Sequence, residues 1–120
     1  MAAPNIVTTA TINGKTAVAN VGTTAAAIVT NSAGSNKALK INTLIISNID
    51  GAAAADITVD LFRSSVAYMI ASTITVPADA SLVVISKENT IYLEEGDTLR
   101  LTASAVGDLQ AICSYEDITQ

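Results

Sequence analysis

Short stretches in which apolar and polar residues alternate recur along the chain, and this alternation constrains the fold more than any other feature. "DITVDLF" is the clearest case, with three apolar residues predicted to face the core and three polar residues to face water: Ile57, Val59 and Leu61 against Asp56, Thr58 and Asp60. "DTLRLTAS" repeats the pattern, since Leu99 and Leu101 point one way. No stretch keeps apolar residues at helical spacing, and "GAAAAD" is long enough only for a single helical turn between strands. The chain is therefore predicted to be all-β.

The spacing of these stretches predicts the architecture. About eight strands, separated by turn signals at intervals of roughly 8–12 residues, are typical of a single antiparallel β-sandwich or jelly-roll-like domain. In "VAYMIASTITV" one face is predicted to carry the apolar residues Val66, Tyr68, Ile70, Ile74 and Val76. Pro77 ends this strand because it has no N–H to donate. "SLVVIS" is apolar on both faces, which predicts a central strand.

The first part of the chain has more small and polar residues than the rest. Residues 1–36 are rich in Ala, Thr, Asn, Gly and Ser, and they are predicted to form an N-terminal arm or an edge hairpin within the same domain. The dipeptide Asn13-Gly14 favours a tight hairpin turn, "TTAAAIVTN" a short strand, and "SAGSN" a loop at Ser32–Asn36. Residues 37–120 are predicted to form the core of the sandwich.

Composition indicates a thin core. Half of the residues are apolar, but only 3% are aromatic and only 14% are charged. Alanine contributes little buried surface per residue, so part of the apolar surface is expected to be covered by another subunit. An isolated subunit is then expected to be marginally stable or to exist as an oligomer.

Charge argues against nucleic acid and membranes as partners. The net charge is −5, and the six cations are scattered. Phosphate recognition needs clustered Lys and Arg, so neither nucleic acid nor an anionic membrane is an expected partner. No apolar window reaches the roughly 20 residues of a membrane span, and "MAAPNIVTTATING" lacks the basic and apolar regions of a secretory signal.

The residue types that usually carry chemistry are scarce. The chain contains no histidine and a single cysteine, Cys113, which is predicted to be a small buried hydrophobe. No catalytic, cofactor-binding or metal-binding residues are therefore predicted, no cofactor is expected, and the protein is not expected to be an enzyme. Glu94, Glu95 and Asp97 in "LEEGD" do not have the spacing of a calcium loop, and we expect them to solvate a turn made by Gly96.

Aromatic residues offer only a weak basis for sugar recognition. Tyr68 and Tyr115 alternate in phase with apolar residues, which predicts core or interface anchors. Tyr92 is the best candidate for an exposed platform.

The segment from Ile74 to Ile118 resembles small virion structural proteins of tailed bacteriophages, those of phages infecting cyanobacteria and other marine bacteria in particular. The resemblance lies in "VPA" at the end of one strand, the strand "LVVISK", the hairpin "IYLEEGDTLRLTAS" and the closing "CSYEDI". "ALKINTLIISNIDG" and "ADITVDLFRSS" resemble the companion strands.

The resemblance implies a β-sandwich that assembles with copies of itself and with other virion proteins. Many such proteins are capsid decoration or cement proteins that sit as homotrimers on the outer face of the shell and contact the major capsid protein. The expected location is then the exterior of the virion, after assembly in the host cytoplasm. A single cysteine is compatible with the reducing conditions of the cytoplasm. Two alternatives stay open: a neck, tail or fibre component, and a glycan-binding adhesin module.

Overall fold

The computed structural model describes Asn5, Val7 and residues 11–119 of the 120-residue chain, and this part is built almost entirely from strands. Its nine strands are β1 (Thr11–Asn20), β2 (Ala26–Thr30), β3 (Lys37–Asn48), β4 (Ala55–Arg63), β5 (Val66–Val76), β6 (Ser81–Ile85), β7 (Ile91–Leu93), β8 (Thr98–Ala103) and β9 (Leu109–Thr119). A short 3₁₀ turn, Lys87–Asn89, separates β6 from β7. Over the same residues, no helix is long and apolar enough to cross a lipid bilayer.

The strands form two antiparallel sheets that pack face to face. One sheet has the order β1-β9-β3-β6, with β7 also paired to β3, and the other has the order β2-β8-β4-β5. β6 and β7 pair with different halves of β3, so together they fill a single position beside it. Counting that position once, the chain passes from sheet to sheet in the order of an eight-stranded jelly roll. The predicted all-β sandwich is confirmed.

The core lies between the two sheets and consists mainly of branched aliphatic side chains. Its largest fully buried apolar members are Ile41, Leu44, Ile46, Ile57, Val59, Val76, Ile85, Leu93, Leu99 and Leu109. β8 shows the expected alternation, because Leu99 and Leu101 are buried while Thr98, Arg100 and Thr102 lie on the other face and are partly exposed. β3 and β9 provide the longest pairing in the molecule, so the core is organised around interior strands.

The predicted turn at Asn13-Gly14 is wrong. β1 runs without a break through both residues, and Gly14 pairs with Glu116 of β9. The reason is tertiary: pairing along the whole of β9 outweighs a local turn preference. The short strand in "TTAAAIVTN" is confirmed as β2, and Ser32–Asn36 is a loop as predicted. The part of the expected arm that precedes Thr11 lies outside the described residues, apart from Asn5 and Val7.

Two strands lie elsewhere in the sheets than their patterns indicated. "SLVVIS" forms β6 at an edge of the β1-β9-β3-β6 sheet, and "VAYMIASTITV" forms β5 at an edge of the other sheet. The face of β5 that was predicted to be apolar and inward is largely exposed, with Tyr68 at 55% and Ile74 at 42%. β5 does end at Val76, directly before Pro77, as predicted. "GAAAAD" contains no helical turn: residues 51–54 lie in the link between β3 and β4, with a bend at Gly51 and Ala52, and Ala55 and Asp56 begin β4.

Candidate functional site

Asp97 is a buried carboxylate held by an arginine from a distant strand. Its carboxylate is only 1% exposed and accepts hydrogen bonds from Arg63 Nε at 2.7 Å, from Arg63 Nη2, and from the backbone N–H of Glu94 at 2.8 Å. Gly96 supplies the turn at a φ of +88°, as predicted. The expectation that all three acids solvate this turn is wrong for Asp97, because the turn folds it against the end of β4, and for Glu95, whose carboxylate oxygens are buried.

Burial would by itself raise the pKa of Asp97, but the hydrogen bonds from Arg63 and Glu94 and the charge of Arg63 hold that pKa below its usual value. The same contact raises the pKa of Arg63. Both groups therefore stay charged at neutral pH, so Asp97 fastens the β7–β8 turn to the end of β4.

Two further buried carboxylates are also paired. Asp60 lies on the outer face of β4, as predicted, but it is 2% exposed because Arg100 covers it with hydrogen bonds of 2.9 and 3.3 Å. The Arg100 guanidinium in turn stacks 3.9 Å from the centre of the Phe62 ring. Asp117 accepts hydrogen bonds from Lys15 at 3.0 Å and Lys37 at 3.1 Å, which joins β9 to both of its neighbours.

These ion pairs engage the buried carboxylates Asp60, Asp97 and Asp117. Among the described residues, no group of three or more His, Cys, Asp or Glu side chains is placed to hold a metal ion. Both carboxylate oxygens of Glu95 are buried without a hydrogen-bond donor, and nothing in the described structure explains this. Of the acids in "LEEGD", Asp97 is the one that joins the turn to another strand.

Cys113 lies on the core side of β9. It is fully buried, and burial raises the pKa of its thiol to about 12. The thiol is therefore protonated and inaccessible at neutral pH, as the prediction of a small buried hydrophobe requires.

The aromatic residues do not form a common platform. Tyr92, predicted to be the exposed one, is 41% exposed on β7, and Tyr68 is 55% exposed on β5 of the other sheet. Tyr115 packs against the core as expected, whereas Tyr68 is exposed, so of its two predicted roles the core is excluded and the interface anchor stays a prediction. The two exposed tyrosines thus lie on strands of different sheets.

The most distinct surface feature is a straight row of four apolar side chains across the outer face of the β1-β9-β3-β6 sheet. Direct cross-strand partners place Val18 beside Ile112, Ile112 beside Ile45, and Ile45 beside Val83. β1, β9, β3 and β6 each contribute one residue. We call Val18, Ile112, Ile45 and Val83 the outer row; Val18 is 73% exposed and Val83 is 58% exposed.

Uncharged polar residues border the outer row on both sides. These flanking rows are Thr16, Ser114 and Thr43 on one side and Asn20, Gln110, Ser47 and Ser81 on the other. Their side chains pair with one another: Gln110 Nε2 donates to Asn20 Oδ1 at 3.0 Å, and the Ser47 and Ser81 hydroxyls lie 3.2 Å apart. A shallow depression of about 430 Å³ lies at the β1 end of the outer row, lined in part by Val18 and Ile112.

A second apolar surface follows β5, the last strand of its sheet in the described structure. Val66, Tyr68, Met69 and Ile74 are all more than two-fifths exposed, and no residue of β5 is charged. We call this surface the β5 edge. Edge strands are usually protected from pairing with other chains by charged residues, proline or β-bulges. β5 contains no charged residue and no proline, and its protection is limited to irregular pairing with β4 and a positive φ of 47° at Thr73. Such a strand favours association.

Sequence reasoning did not find the outer row. Its residues come from four strands, and only their register brings them into line. The signals that hinted at it were the two apolar faces of "SLVVIS" and the outward isoleucine of "QAICS".

No protein-family model matches this chain, and no curated protein sequence matches it. Among solved structures, it is similar to a chain from Bacillus endospore appendages, described as a novel family of disulfide-linked pili. The TM-score is 0.53 at 14% sequence identity, over 91% of this chain and 87% of that one. The likeness is one of fold.

This likeness supports the sandwich architecture over nearly the full length of both chains. It does not extend to the feature named for the appendage proteins, their disulfide links. The single cysteine of this chain has no exposed surface, so it cannot meet a cysteine of another subunit while β9 stays in place.

Proposed function

We propose that this protein is a non-enzymatic structural subunit that assembles with copies of itself. One observation carries the proposal: buried carboxylates such as Asp60 and Asp97 are held in internal ion pairs, while large apolar side chains are exposed on the outer row and the β5 edge. Surfaces of this kind are typical of association rather than of catalysis. The fold shared with a pilus-forming protein supports the same role.

The finer proposal is a capsid decoration or cement protein of a tailed bacteriophage, bound to the exterior of the assembled shell. The resemblance of "LVVISK", "IYLEEGDTLRLTAS" and "CSYEDI" to virion proteins supports it. We assign a homotrimer as the oligomer, with the major capsid protein as partner. In a ring of three, one surface of each subunit contacts a different surface of the next. We propose that the β5 edge is one of these two surfaces.

The test is the copy number and binding preference of the protein. Quantitative mass spectrometry of purified particles is expected to find hundreds of copies, and the pure protein is expected to bind assembled shells but not free capsid subunits. A value near a dozen, with the protein found on detached tails, would instead favour a neck, tail or fibre component. Glycan binding that Tyr92→Ala abolishes would favour an adhesin.

A further inference from the structure

We propose that the outer row is a two-fold contact, in which the β1-β9-β3-β6 sheets of two copies of this chain pack face to face. This inference rests on the proposed role as a self-assembling subunit, and it names the surface and the geometry. The partner is a second copy because of three properties of the face: its charge, its hydrogen bonding and its shape.

Charge is the first property. The outer row and both flanking rows contain no ionisable side chain, in a protein whose net charge is −5. Two copies of an acidic protein repel one another, so they approach most easily through a face that carries no charge. A basic partner would find no carboxylate in these three rows, and the nearest one on the same face, Glu116, already accepts a hydrogen bond from Asn42.

Hydrogen bonding is the second property. Covering a polar side chain is costly when it loses water and gains no partner. Here the neighbours of the outer row are already paired within the sheet, through Asn20 with Gln110 and Ser47 with Ser81. Thr16 and Ser114 approach to 3.5 Å on the opposite side. The face can therefore be covered by an apolar surface like its own.

Shape is the third property, and it fixes the geometry. A two-fold axis parallel to the strands, between β9 and β3, places Val83 of each copy over the Val18 end of the other, where the depression lies. Ile45 of each copy then faces Ile112 of the other. Each of the four positions meets its complement, as a symmetric contact requires. The strands of the two copies run nearly aligned, the usual arrangement of stacked sheets.

The size of the face predicts a weak contact. The outer row and its two flanking rows span five residues of β9, from Gln110 to Ser114, so at about 3.4 Å per residue and about 4.8 Å between strands they form a face of roughly 330 Å² over four strands. A standard interface buries about 800 Å² on each partner. Pairing is therefore expected to depend on concentration and to be reinforced where many copies are held together. In a trimer built through the β5 edge, it would join subunits of different trimers.

Cysteine cross-linking tests the geometry. Val18→Cys and Val83→Cys are made separately in the full chain; Cys113 stays because it is buried. Oxidation of the two variants mixed at high concentration is expected to give disulfide-linked dimers, while each variant alone gives almost none. Dimers from Val18→Cys alone, at the yield of the mixture, would overturn the proposed axis. No dimers from any combination would overturn the contact.

Sedimentation tests the energetics. Ile112→Asp is expected to weaken pairing at least tenfold, whereas Thr102→Asp, on the outer face of the other sheet, is expected to leave it unchanged. Val83→Lys, at the edge, repeats the test if Ile112→Asp does not fold. Equal weakening by Thr102→Asp, or none by the row variants, would contradict the proposal. Copy number on particles is measured independently, so either proposal can fail while the other stands.

Discussion

Asn31 and Asn48 are buried at opposite ends of the sandwich, and each bonds to a nearby part of the chain and to the end of a strand distant in sequence. Asn31 Nδ2 donates to the carbonyls of Lys37 and Leu93 at 2.9 and 2.8 Å. Asn48 Nδ2 donates to the carbonyls of Ala53 and Val76, both at 2.9 Å, and its Oδ1 accepts from a backbone N–H. Each amide thus donates hydrogen bonds to backbone carbonyls at or near the ends of strands.

Replacement of Asn48 by alanine is expected to lower the free energy of unfolding by about 2 kcal/mol, because buried backbone groups lose their partner. Urea unfolding measures this. Asn20→Ala is the matched control, since Asn20 is exposed and, within the described structure, its side chain bonds only to Gln110. Equal losses in the two variants would show that the Asn48 amide is not a structural link.

Such roles were not predictable from the sequence. Asn48 occurs where a strand pattern ends, and its partner carbonyl at Val76 is 28 residues away. The same holds for Asp60 and Asp97, which were assigned to solvent because local alternation or turn composition gives no sign of the distant arginines that bury them. Cys113, by contrast, was predictable, since its strand alternates regularly around it.

At the scale of elements, the strands were largely predictable, but their neighbours were not. Alternation defines which residues form a strand, so β4 and β8 were found with their faces correct from Ile57 to Val59 and at Leu99 and Leu101. Whether a strand is central or at an edge depends on long-range pairing. β6 has apolar residues on both faces although it is an edge strand. Its outward-facing apolar residue is Val83, which forms the end of the outer row.

The position of each strand should determine how often it opens. β1 contributes little to the core and, among the strands of residues 11–119, pairs only with β9, whereas β9 pairs on both sides. We expect the amides of β1 to exchange with deuterium much faster than those of β9, with β4 as a second protected strand. Hydrogen exchange followed by mass spectrometry measures this. Protection of β1 equal to that of β9 would mean that another surface covers it, which the outer-row contact allows only at high concentration.

At the scale of the whole molecule, the charges divide between internal pairs and a repulsive cluster at one end. Asp97 and Asp117 are stabilised by cations, and the hydrogen bonds that they accept hold their pKa values low despite burial. At the far end, Asp50 and Asp108 lie together. The backbone N–H groups of Ala52 and Ala53 lower the pKa of Asp50, whereas partial burial and the nearby Asp50 raise the pKa of Asp108.

These shifts predict how stability depends on pH. A carboxyl whose pKa is lower in the folded state stabilises the protein above its unfolded value, near 3.8, and this stabilisation is lost as the pH falls through the folded pKa. Asp108 has the opposite sign: its raised pKa favours the folded state at low pH and opposes it as the pH rises. The melting temperature is therefore expected to be nearly constant between pH 7 and 5 and to fall below about pH 4.

Two variants separate these contributions. Asp108→Asn is expected to raise the melting temperature at pH 7 and to have little effect at pH 3. Asp97→Asn is expected to lower the melting temperature at pH 7 and to make its decrease at acid pH smaller. A melting temperature that rises on acidification in the wild-type protein would show that repulsion among its eleven acids outweighs the internal pairs.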